Sequence, residues 1–270
     1  MLISAGFCSP GFGCASSRGV ILSRRDLGDA DRVITVFTRQ FGRRRLVARG
    51  SRRPASKFAP HIELFTRTSL VGVAGSNLDV LTQAKTIEAY PRFRHDLGAF
   101  AAAGWAIELL DGLSVDSESM PDAYTALVDF LRLLNGSNND PEPLITALAL
   151  NLLDLHGYTP ELAVCTVCTC PIEQGNHAFA PYNGGVVCIT CGQNHAIQAL
   201  EIDTLKTLRF IAREGLAGAA RLRTDQRTRS ELRAALGGYA NAVIEREISS
   251  AQILELASRN NSRAVGQTLT

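Results

Sequence analysis

"DRVITVFTRQFGRRRLVARG", residues 31–50, decides the fold. It holds two runs, 31–40 and 42–50, rich in β-branched and aromatic residues, the composition of strands. In the first run Val33, Thr35 and Phe37 share one face, and Ile34, Val36 and Thr38 share the other. Both faces carry apolar groups, the pattern of a strand covered on both sides for part of its length. In the second run Arg43 and Arg45 project from one face and Arg44 from the other. Working outward, residues 18–25, 61–73 and 77–88 have the same character and are set apart by Gly, Asp, Asn and Pro. Five strands in so short a stretch suit a small barrel or sandwich better than an open sheet, which leaves edges to protect.

After Tyr90-Pro91 the period changes. Residues 96–113, 120–136, 140–158, 200–215 and 230–248 show three- and four-residue apolar spacing, which predicts helices. The third is the best punctuated. Asp140 stands at the N-cap with Pro141 behind it, Leu144, Leu148, Leu152 and Leu155 share a face, and Gly157 then Pro160 stop the helix. The fold class is therefore α+β: a β-barrel domain over 18–90, then a helical domain over 91–257. The first 17 residues are small and uncharged, without the pattern of a secretory signal, and read as a disordered extension. Residues 258–270 read as a frayed tail.

The formal net charge of +2 conceals a segregation. Residues 18–58 hold eleven arginines and Lys57 against Asp26, Asp29 and Asp31, a net of +9. Residues 59–205 carry a net of −12, and residues 206–270 a net of +5. Arginine concentrated in one module points to a polyanionic partner there rather than to an ordinary mixed surface. No run of eighteen apolar residues is present, so no helix is expected to span a membrane.

A second motif lies in the helical region. Cys165-x2-Cys168 is followed by nineteen residues and then Cys188-x2-Cys191, the spacing of a four-cysteine zinc site. Asn183-Gly184 between the pairs is a hairpin turn, so 165–191 reads as a ribbon-like insertion. Cys170 is a bystander, and His177 and His195 are the less favoured alternative ligands. Four thiolates fill a tetrahedral site, whereas catalytic zinc keeps one position open, so this zinc is a structural staple. Clustered cysteines, with Cys8 and Cys14 as free thiols, suit a reducing compartment, hence the cytoplasm.

Other chemistry is not written here. The chain has no Gly-x4-Gly-Lys-Ser/Thr loop, no Gly-x-Ser-x-Gly elbow, and no GxGxxG between a strand and a helix. No nucleotide site is expected. His61-Ile62-Glu63 mimics half of a deaminase signature, but Val164 and Val187 stand where its second half needs proline. The paired acids Asp116/Glu118 and Asp29/Asp31 read as solubilising.

The basic stretch "GRRRLVARGSRRPASKF" (42–58) carries Arg43, Arg44, Arg45, Arg49, Arg52, Arg53 and Lys57, joined from neighbouring strands by Arg24, Arg25, Arg32 and Arg39. Guanidinium groups on a small barrel can track a phosphate backbone, with Phe41 and Phe58 the candidates for base stacking. Arg221, Arg223, Arg227 and Arg229 form a second cluster that reads as a solvated surface. The pattern of a first strand, a Gly-Asp turn into "DRVITVFT", then "GRRRLVARG" and "RRPASKF", resembles the N-terminal domain of the RecO family of recombination mediators. "LLDLHGYTPELAVCTVC" and "GGVVCITC" resemble the same family's helix, Gly-Tyr-x-Pro step and two zinc knuckles. The resemblance implies an OB-fold, binding of single- and double-stranded DNA, and annealing of strands without nucleotide hydrolysis. It also implies work with RecR to help RecA replace single-strand-binding protein, and association with the nucleoid. The expected function is a non-enzymatic mediator of recombinational repair. Two other classes compete with it: an adaptor whose arginines meet acidic protein tails, and a zinc-dependent hydrolase or deaminase.

Overall fold

The structure, a computed structural model, describes residues 16–136, 139–172, 177–193 and 197–257. The expected N-terminal extension and tail, with Cys8, Cys14 and His195, lie outside the described residues except for residues 16 and 17. The chain forms two compact units. One comprises the residues through Tyr90 together with Ser114–Val128; the other comprises Pro91–Leu113 and the residues from Asp129 onward.

The first unit is a closed barrel of five strands: β1 (Ser17–Leu27), β2 (Asp31–Thr38), β3 (Gly42–Ala48), β4 (Arg67–Val73) and β5 (Asp79–Glu88). Their order is β1-β2-β3-β5-β4, with β4 returning to β1, the arrangement of an OB-fold. Ile21, Ile34, Val36, Leu46, Ala48, Ile62, Leu70 and Leu81 fill the interior. Phe37, on the opposite face of β2 from Ile34 and Val36, is fully buried as well, so that strand is indeed covered on both sides. The β2–β3 turn needs its glycine: Gly42 has φ +56°, and a Cβ there would overlap the carbonyl oxygen of Glu118.

Residues 61–66 depart from the expected strand. Ala59–His61 make a single 3-10 turn, and Phe65 adopts φ +65°. The reason is packing. Ile62 plugs the barrel interior. The Ile21 N–H still donates to Thr66 O in register with β4, but Ile21 O accepts from the Phe65 N–H where a regular ladder would use the Thr66 N–H. The parallel β3–β5 seam that closes the barrel is short, pairing Leu46 with Asp79 and Val47 with Val80.

The second unit contains α1 (Leu97–Leu113) and α3 (Pro141–Leu155), while α2 (Pro121–Asn135) follows α1 in the chain. Asp140 caps α3 as expected, its carboxylate accepting from Glu142 N at 3.3 Å. Leu144, Leu148 and Leu152 are buried, and Leu155 emerges to the surface as Gly157 (φ +79°) ends the run. α3 is buried nearly all round, which makes it the central helix of the unit. A three-stranded sheet, β6 (His177–Ala180), β7 (Gly185–Val187) and β8 (Gln198–Leu200), carries the cysteine insertion together with the short α4 (Ile189–Gly192). Then come α5 (Ile202–Ala219), kinked at Gly215, α6 (Gln226–Ile244) and a last helix, residues 250–257.

The second basic cluster is more engaged than a solvated surface would be. Arg229 donates to the buried Asp140 carboxylate at 3.0 Å, and Arg227 pairs with Glu201 and Glu231. Arg233 donates to Glu142, a fully buried carboxylate on α3. Burial pushes the Glu142 carboxyl up, against the pull of Arg233. No helix among the described residues is long and apolar enough to cross a membrane.

Candidate nucleic-acid interface and metal centre

The barrel sorts its cations by whether an acid reaches them. Arg24 donates to Glu63 at 2.6 Å. Arg44 donates to Asp79 at 2.6 Å and to Ser117 Oγ at 2.8 Å, and its side chain is only 14% exposed. Arg43 donates to Asp116 at 2.6 Å, with Arg45 3.6 Å from the same carboxylate. Arg32 and Arg52 share Asp26, at 3.1 and 3.4 Å. Among the described residues Arg18 and Lys85, outside the expected set, are exposed without an ion pair; within that set Arg25, Arg39, Arg49, Arg53 and Lys57 are.

Three of these five line one groove. Its volume is about 600 Å³, and its walls are the loop after β3 and the middle of β5: Arg49, Arg53, Lys57 and Phe58 face Thr82, Gln83 and Ala84. The groove exists because the β3–β5 seam ends at Val47 and Val80 and the two strands part beyond it. The loop is pinned rather than slack. Gly50, at φ +66°, donates its N–H to Asp31 Oδ1 at 2.7 Å, and the Arg52 N–H donates to Ala30 O at 2.9 Å. Successive turns follow, Arg53 N–H to Gly50 O and Ser56 N–H to Arg53 O. Phe58 is half-buried against the barrel core and also lines the groove, whereas Phe41 is half-buried against that core and does not.

Two acids read as solubilising have structural work. Asp31 holds the groove loop, and Asp116 faces Arg43 and Arg45 across a separation of about seventy residues in sequence. The HIE decoy dissolves on the same geometry: His61 Nδ1 lies 2.9 Å from Thr86 Oγ1, and Glu63 holds Arg24.

In the second unit Cys165, Cys168, Cys188 and Cys191 come together, with all four sulfurs within 4.8 Å of one another. The Cys168 and Cys188 sulfurs are 3.8 Å apart. Zn–S bonds of about 2.3 Å in a tetrahedron require S···S edges of about 3.8 Å, so the donor set fits a zinc ion. Burial pushes the Cys165 thiol up, but backbone N–H groups of Cys168, Cys188 and Val167 outweigh it and bring the thiol down to about 6. Side-chain hydrogen bonds to Cys188 and Cys168 push Cys191 up to about 12. Crowded sulfurs of this kind can all ionise only beside a cation, and a divalent metal would supply that charge.

The first knuckle is held by hydrogen bonds of its own. Thr169, at φ +60°, turns its N–H back to Cys165 O at 2.9 Å. Glu161 accepts from the N–H groups of Ala163 and Val164 at 2.6 and 3.2 Å. Arg209, from α5, donates to Leu162 O at 2.8 Å and Ile172 O at 3.1 Å, clamping both ends of the first knuckle. No spacing rule points to Arg209, which lies 47 residues from Leu162. The hairpin turn is where the sequence places it, with Gly184 left-handed at φ +77°. Cys170 and His177 stay outside the sulfur cluster.

A barrel with a basic groove, followed in the chain by a four-cysteine helical unit, has counterparts among known proteins. Residues 15–90 match the family model for the recombination protein O N terminal, and residues 94–252 match that for the recombination protein O C terminal. A DNA repair protein RecO from Roseiflexus sp. (strain RS-1) is 34% identical over 240 residues, covering 88% of this chain and 84% of that protein. One from Symbiobacterium thermophilum is 32% identical over 240 residues, covering 88% and 95%. One from Cutibacterium acnes is 38% identical over 181 residues, covering 64% and 72%. Both family models match in chain order, and the chain belongs to the RecO family of DNA repair proteins.

Proposed function

We propose that this protein is a non-enzymatic DNA-binding and strand-annealing mediator of recombinational repair. The observation that carries the reading is the groove of Arg49, Arg53 and Lys57, three cations without an ion pair among the described residues, beside the Phe58 ring. Guanidinium and ammonium groups in a groove neutralise successive phosphates, and an aromatic edge gives a base something to stack on. Arg25, Arg39, Arg45 and Arg52, also exposed, add to the positive charge of the barrel. Neutralised strands repel each other less, so loosely held complementary bases can meet without nucleotide hydrolysis. Working beside RecR, such a protein helps RecA displace single-strand-binding protein, in the cytoplasm at the nucleoid. The metal is a structural zinc held by Cys165, Cys168, Cys188 and Cys191. It leaves no coordination position for water and argues against a hydrolase.

The test is a salt titration of binding to a single-stranded oligonucleotide. Each neutralised phosphate contributes about −0.7 to the slope of log K against log salt. Three groove cations predict a slope of about −2 or steeper. A slope near zero contradicts the phosphate-tracking reading.

A further inference from the structure

Residues 114–120, "SVDSESM", run as a strap along the start of β3. Asp116 bridges Arg43 in parallel, and the Ser117 N–H donates to Arg43 O at 3.1 Å. Ser117 does this at φ +67°, a conformation that a serine adopts only when neighbours hold it there. Farther along, Ser119 Oγ donates to Arg39 O at 3.3 Å, and Gly42 has no Cβ to obstruct Glu118. These backbone contacts place one carboxylate, Asp116, against two arginines of β3: Arg43, whose side chain is 16% exposed, at 2.6 Å, and the exposed Arg45 at 3.6 Å.

We propose that Asp116 is an affinity-setting residue of the nucleic-acid face, a carboxylate standing where a phosphate would otherwise sit on Arg45. This rests on the DNA-binding reading of the barrel. The comparison with Arg44 sharpens it. Asp79 and Arg44 are 13% and 14% exposed, a closed pair that a phosphate cannot enter. Asp116 is 52% exposed and Arg45 53%, so the pair they form is open to solvent and exchangeable. Exposed pairs are individually weak, so the carboxylate does not block a polyanion; it subtracts from the gain on binding. Phosphate contact is thereby concentrated in the groove of Arg49, Arg53 and Lys57, and the hold on DNA stays loose enough for strands to exchange.

The test compares full-length Asp116→Asn with the wild type on a single-stranded oligonucleotide at two salt concentrations. The Ser117–Arg43 backbone bond survives this substitution, so the strap stays and only the charge goes. Asp116→Ser repeats the measurement with a smaller polar group. Affinity at low salt is expected to rise about two- to fivefold, with the slope steeper by about 0.7. The gain is expected to vanish when Arg45 is also replaced by Ala. Asp29→Asn, an equal change of net charge at an exposed turn residue, is the control and gives a smaller gain. Unchanged affinity in both Asp116 variants, or an equal gain from Asp29→Asn, overturns the proposal. If the wild type binds DNA and loses it on groove mutation while Asp116→Asn has no effect, only this inference falls. If wild type and variants alike fail to bind, it falls together with the DNA reading.

Discussion

Replacing Arg49, Arg53 and Lys57 together by glutamate is expected to weaken single-stranded DNA binding on the order of a hundredfold at near-physiological salt, and to flatten the salt slope by about 2. All three side chains line the same groove and none is committed to an ion pair among the described residues. Their reversal should therefore leave the barrel's melting transition within a few degrees of the wild type. The measurement is fluorescence anisotropy of a labelled oligonucleotide beside a thermal melt. Arg44 provides the contrast. Its guanidinium is held by Asp79 and Ser117 and is largely buried, so Arg44→Ala strands a half-buried carboxylate and costs about 2–3 kcal/mol of stability. Any loss of binding there follows loss of fold. Of the arginines that a sequence places on a DNA face, those left without an acid are the ones to mutate.

Removing the metal is the second large effect. With a strong chelator, or with Cys165→Ser, Tm of the helical unit is expected to fall by more than about 10 °C, because structural four-cysteine zinc contributes roughly 10–16 kcal/mol of apparent binding energy. Cys165 is the sharpest choice, being fully buried and accepting the Cys188 N–H at 3.4 Å. One zinc per chain by metal analysis, with the melt shifted on chelation, is the outcome for a staple. An unshifted melt contradicts it. The open coordination position of a hydrolase would instead show as lost turnover with the melt unchanged.

Much of this was legible because it is local. The β2–β3 stretch encodes its strands by composition, its faces by alternation and its turn by Gly42. α3 encodes its start by Asp140-Pro141 and its end by Gly157, and two CxxC pairs encode a sulfur cluster whose sulfurs the fold does bring within 4.8 Å. What escaped depends on residues far apart in sequence. Asp116 reaches Arg43 across 73 residues, and Arg209 reaches the first knuckle from α5. Neither contact leaves a period or a spacing to read. The strand expected from His61 starts at Arg67 instead, because Ile62 fills the barrel. An apolar residue in a β-rich run looks the same whether it lies in a ladder or plugs a core. The groove is a third case. A list of arginines does not say which of them an acid will neutralise, and that sorting is what singles out Arg49, Arg53 and Lys57.

The central claim is annealing, and one measurement addresses it most directly. Two complementary oligonucleotides are coated with single-strand-binding protein and mixed with the purified, metal-loaded chain, without nucleotide, at two salt concentrations. The account predicts duplex formation well above the protein-free rate, weaker at the higher salt and lost in the triple groove variant. Absence of annealing from a folded protein, or annealing at full rate by the triple groove variant, would contradict it.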